Sequence, residues 1–108
     1  MNRYLLIESL DPFESNDVGR HWEMAVDLAR RGNRVTLFLV QNGVLAAREG
    51  ARNDVLHSVA AAGVEVLADE FSLRERGIGT GALMARVEPA PLDVVLDRLA
   101  EGCKALWH

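Results

Sequence analysis

The sequence predicts a single α/β domain: a small, mostly parallel five-stranded sheet with helices on both faces. Three observations carry that reading. Short, predominantly apolar runs at residues 4–7, 35–40 and 64–68 alternate with longer segments whose apolar residues recur at helical spacing. The runs do not alternate apolar with polar, as expected of strands covered on both sides. The chain has 108 residues, 49% hydrophobic and 26% charged, which suits one globular domain with its own core.

The elements follow in order. Residues 4–7 (YLLI) read as a first strand, and Pro12 breaks the polar loop after it. Val18, Trp22, Ala25, Val26 and Ala29 share one helix face; Asn16 or Asp17 is placed to cap that helix and Gly32 to end it. Residues 35–40 (VTLFLV) form a β-rich second strand, followed by a turn at Gln41, Asn42 and Gly43 and a short helix over 44–48. Asn53 can cap a further helix that turns Val55, Leu56 and Val59 inward, and Gly63 ends it. The third strand is 64–68, and a helical turn over 72–76 stops at Gly77. A weaker fourth strand is expected within 83–87. Pro89 and Pro91 then introduce a helix whose inward face is Leu92, Val95, Leu96 and Leu99, and residues 104–107 make a short last strand. Such alternation implies right-handed crossovers between parallel strands.

Composition narrows the function classes. A net charge of −4 gives no broad attraction to nucleic acid or to anionic membrane. The apolar run in the first ten residues is too short for a signal peptide or a membrane span. Cys103 is the one cysteine, so no internal disulfide forms, and the expected location is the cytoplasm. No cofactor motif is present. Gly77, Gly79 and Gly81 lack the lysine of a phosphate-binding loop, and His21, His57 and His108 lack metal-ligand spacing. His21 lies one helical turn past the first loop, within reach of a pocket there. Ser72 has no nucleophile-elbow context that would suit a hydrolase.

Ligands of open α/β sheets bind beyond the carboxyl ends of the strands. That rule selects Ser9, Asp11 and Asn16 after the first strand and Gln41, Asn42 and Gly43 after the second. It also selects Asp69, Glu70, Phe71 and Ser72 after the third, and Glu88 after the fourth. Asn16, Gln41, Asn42, Gly43, Asp69 and Ser72 are the candidate ligand-binding residues.

Residues 64–78 (VEVLADEFSLRERGI) resemble the DsrE/DsrF-like proteins and their TusD/TusC relatives, in which a strand leads through a short loop to a cysteine and a helix ending in Arg-Gly. The first strand with its polar loop and helix, the Gly43-Val44 turn, and the final helix and strand match too. The resemblance implies a sulfur-relay fold that assembles as homo- or hetero-oligomers of related subunits, in which a cysteine carries a persulfide to a partner protein. Phe71, Leu83 and Met84 are the apolar residues expected at such an interface. The carrier position is Ser72 here. A hydroxyl has no persulfide chemistry, and Ser72 to Glu75 reads instead as a capping box, with Asp69 and Glu70 opposing an anionic nucleophile. The expected function is therefore a binding or structural subunit. Two alternatives stand beside it: a sulfurtransferase using Cys103, expected at the amino ends of the strands beside Lys104, and a small-ligand or anion-binding module at the carboxyl edge.

Overall fold

The computed structural model describes residues 1–51 and 54–108. Its strands are β1 (Arg3–Glu8), β2 (Arg34–Leu39), β3 (Glu65–Asp69), β4 (Val87–Ala90) and β5 (Lys104–Trp107). They form one sheet in the order β4-β3-β2-β1-β5, with every pairing parallel. Its helices are α1 (Asp17–Arg30), α2 (Asp54–Ala61), α3 (Glu70–Glu75) and α4 (Asp93–Ala100); a 3-10 segment, Gln41–Ala47, follows β2. The expected fold class is the one observed. No helix among the described residues is long and apolar enough to cross a membrane.

The direction of travel decides which face each helix covers. From β1 to β4 the chain steps one way across the sheet, and a right-handed crossover puts α1, α2 and α3 on the same face. From β4 the chain returns across the whole sheet to pair β5 with β1, and the same handedness puts α4 on the opposite face.

The two faces are unequally covered. On the first, Leu6, Leu37, Leu39, Val66 and Ala68 meet Val18, Trp22 and Ala25 of α1, Leu56 and Val59 of α2, and Leu73 of α3. Trp22, the largest of them, is fully buried. On the second, Leu5, Ile7, Phe38, Val40, Leu67 and Ala90 meet only Val94, Val95 and Cys103.

Several local expectations are corrected. Helix α4 turns Val94, Val95 and Arg98 toward the sheet and leaves Leu92, Leu96 and Leu99 exposed; only Val95 of the expected inward stripe packs there. The fourth strand begins at Val87 and includes Pro89, which is tolerated because β4 is an edge strand. Leu83 instead bridges Arg48. Glu88 therefore lies inside β4 rather than in a loop beyond it. In α2, Val55 faces solvent while Leu56 and Val59 are buried; the Asn53 cap lies outside the described residues. Met84 is buried in the core and Leu83 packs against it, so of the three expected interface residues only Phe71 is exposed.

The exit from β2 depends on one close approach. The Val40 N–H donates to the Glu8 carbonyl, and the chain then folds so tightly that a Cβ on Gly43 would collide with that same carbonyl. Because the obstruction is backbone, Gly43→Ala is expected to lower stability by about 1–3 kcal/mol, the range for overpacking. Urea denaturation reads this as a lower midpoint with unchanged slope.

Candidate functional site

Five of the six candidate ligand-binding residues converge at the carboxyl ends of β2 and β3. Asp69 ends β3 and is the N-cap of α3, accepting from the Ser72 N–H at 3.1 Å. The Ser72 hydroxyl donates to the same Asp69 oxygen at 2.7 Å and accepts from the Gln41 N–H at 2.8 Å. Ser72 is only 3% exposed. The cap thus belongs to Asp69, and Ser72 sits inside the first turn; the expected capping box begins three residues too late because Asp69 is also a strong cap former. The guanidinium of Arg76 donates twice to Asn42 Oδ1, at 3.1 and 2.9 Å, which ties the end of α3 to the β2 turn.

This network serves a strained backbone. Gln41 has φ 50°, left-handed for a residue with a Cβ, a conformation costing on the order of 1 kcal/mol. The Ser72 oxygen holds its N–H in that geometry. Gly43 lies in the same turn, fixed against Glu8. Asn16 does not join them. It precedes α1 in a helical conformation and makes no cap hydrogen bond; the Asp17 N–H is received by Ser15 Oγ instead.

A second cluster lies at the carboxyl ends of β1 and β5. The Glu8 side chain is 0% exposed. It accepts from the Leu10 N–H at 3.1 Å and from His108 Nδ1 at 2.8 and 3.0 Å. With Glu8 as a carboxylate, which only accepts, the proton of this contact would sit on Nδ1. The His21 ring stacks on His108 with centroids 5.2 Å apart, and its Nε2 is buried without a partner among the described residues. Burial pushes the Glu8 carboxyl above its usual range, against the bonds from His108 and Leu10 that favour its charged form. Burial, together with the neighbouring His108, pushes His21 below its usual range. The carboxylate of Glu8 orients the His108 ring, and the His21 ring packs against it. His21 is thus buried at this edge.

Arg76, Glu8 and His108 are the site residues that sequence reasoning missed. Glu8 closes an apolar run, so it reads as the first loop residue, and its partner His108 lies 100 residues away in sequence. No group of three or more His, Cys, Asp or Glu side chains among the described residues is arranged to hold a metal ion.

Cys103 lies at the opposite, amino end of the sheet, as its position before β5 requires. It is half-buried on the wall of a cavity of about 410 Å³ whose lining includes Arg3, Arg34, Glu65, Arg98 and Glu101.

The fold recurs among solved structures. The chain matches the ychN protein from E. coli over 100% of both chains, with TM-score 0.86 and 24% identity. It matches MTH1491, a protein of unknown function from Methanobacterium thermoautotrophicum, over 100% of both, with TM-score 0.79 and 15% identity. It also matches BT1422, a conserved protein of unknown function from Bacteroides thetaiotaomicron, over 99% of this chain and 95% of that one, with TM-score 0.75 and 16% identity. At these identities the likeness shows the fold alone. No family model matches the chain, and no curated protein does.

The buried His21 gives stability a pH dependence. Its folded value lies below the unfolded 6.5, so on acidification the unfolded chain takes a proton that the folded chain refuses. That contribution is intact above 6.5 and is lost as pH falls from there through the lower folded value. The raised Glu8 works in the opposite sense, stabilising the fold as pH falls through its own folded value. Between about pH 7.5 and about pH 5.5, wild-type stability in urea is expected to fall more than that of His21→Phe. Equal slopes in the two proteins would refute the assignment.

Proposed function

We propose that this chain is a cytoplasmic DsrE/DsrF-like protein of the sulfur-relay type that works as a binding or structural subunit of an oligomer, with no sulfur carried at position 72. The observation that carries this reading is the state of the Ser72 hydroxyl. It is buried, it donates to Asp69, and it accepts from the Gln41 N–H, so it acts as a clamp on the β2 turn. A carrier needs an accessible thiolate, and position 72 offers neither a thiol nor access. Asn42, another candidate ligand residue, is likewise engaged, by Arg76.

The oligomer part of the proposal is supported by the thinly covered sheet face. Leu92, just before α4, and Leu96 and Leu99 within it are 58%, 68% and 46% exposed. Trp107, 65% exposed, pairs in register with Ile7 and therefore points to the same side. Exposed apolar side chains on this side of the molecule suit burial against a second subunit, and β5 is an edge strand.

A second reading, a sulfurtransferase acting through Cys103, is favoured by one observation: Cys103 is not fully buried. The two are separated by intact-mass spectrometry after incubation with a cysteine desulfurase and cysteine. The subunit reading expects no adduct. A gain of one sulfur, about 32 Da, on the wild type but not on Cys103→Ser would overturn it in favour of Cys103. Assembly is tested apart from chemistry. Light scattering after size exclusion is expected to give an oligomer for the wild type and a monomer for Leu96→Glu. A monomeric wild type would remove the oligomer from the proposal.

A further inference from the structure

The α4 side of the sheet changes character along its strands. Toward the carboxyl ends it is apolar, with Leu5, Ile7, Phe38, Val40 and Leu67. At the amino ends the same face carries Arg3, Arg34, Thr36 and Glu65, because side chains two residues apart share a face. Helix α4 meets this polar row with Arg98 and Glu101 near its carboxyl end. The space between holds the cavity of about 410 Å³, with Cys103 on its wall.

The charges there are unevenly paired. Arg98 bonds Glu65 at 2.7 Å and faces Glu101 at 3.6 Å, and Thr36 donates to Glu65 at 2.8 Å. Both carboxylates therefore have a cation already. Arg3 and Arg34 have none: neither guanidinium has an ion-pair or hydrogen-bond partner among the described residues. Yet they are register partners on adjacent strands, about 4.8 Å apart, where like charges repel. Three arginines against two glutamates leave the lining net positive.

We propose that this amino-edge cavity is a binding site for a small oxyanion, a phosphate or a carboxylate, clamped between Arg3 and Arg34 and reaching toward the Cys103 thiol. Guanidiniums carried on adjacent strands can each offer paired N–H donors to the oxygens of one ligand, the recognition at which arginine excels. An anion between them also removes the cross-strand repulsion. The site lies at the opposite end of the sheet from Ser72 and Glu8, and it holds whether or not sulfur is transferred.

The single cysteine makes the site directly measurable. Alkylation of Cys103 is followed with iodoacetate, an anion, and with neutral iodoacetamide. The ratio of the two rates in the folded protein is referred to the same ratio in the urea-unfolded chain. A cationic cavity is expected to raise the ratio about tenfold, at the low end of electrostatic focusing. The double variant Arg3→Gln, Arg34→Gln is expected to return it to the unfolded value while leaving the iodoacetamide rate and the circular dichroism unchanged. Inorganic phosphate and succinate are then added separately, each against potassium chloride at matched ionic strength. Saturable protection by phosphate marks a phosphate site, and stronger protection by succinate a carboxylate site. A folded ratio equal to the unfolded one overturns the proposal. So does a ratio that survives the double variant, or slowing no greater than that of chloride.

Discussion

Glu8 is the residue on which the carboxyl edge depends. Its carbonyl receives the Val40 N–H and stands where a Gly43 side chain would be, so it sets how the chain leaves β2. Its carboxylate, fully buried, receives the Leu10 N–H and His108. Main-chain bonds run alongside: His108 N–H donates to Ile7, and Ser9 N–H to His108. One residue thereby ties the ends of β1, β2 and β5. Burying a charge is unfavourable unless it is well bonded, and its raised protonation point shows that the bonds do not fully offset the burial.

The Ser72 network repeats this logic one strand further along. A left-handed Gln41 is stable only if its N–H is held, and the Ser72 oxygen, itself fixed by Asp69, holds it. Sulfur is the weaker acceptor, so a thiol at this position would serve the turn less well. Serine here is therefore a structural solution in its own right: position 72 supports the geometry of the edge.

The sequence made the strand order of events legible because continuous apolar runs and terminal glycines are local signals. β4 escaped by several residues, since Pro89 reads as a helix start unless the strand is known to lie at an edge. α4 was read inside out: the Leu92, Leu96 and Leu99 stripe is a sound amphipathic pattern, but pattern alone does not say whether a helix turns its apolar side to its own sheet or to another surface. At the site, Gln41, Asn42, Gly43, Asp69 and Ser72 were found by the rule of strand ends, which needs only topology. Glu8, His21 and His108 were not assembled, because contacts between the two ends of a chain leave no spacing to read. The partnerless state of Arg3 and Arg34 is similarly invisible until β1 and β2 are placed in register.

Direction of crossover connects these features. Three crossovers on one face give it three helices and a closed core, while the single return crossover leaves the other face with one eight-residue helix. One such helix cannot cover five strands, so that face divides by chemistry along its length. Its carboxyl half is apolar, and Trp107 there and the outer leucines of the helix are exposed, which suits contact with another subunit. Its amino half is lined by arginines around a cavity, which suits a small anion. Both features arise because the chain must cross back to place β5 beside β1.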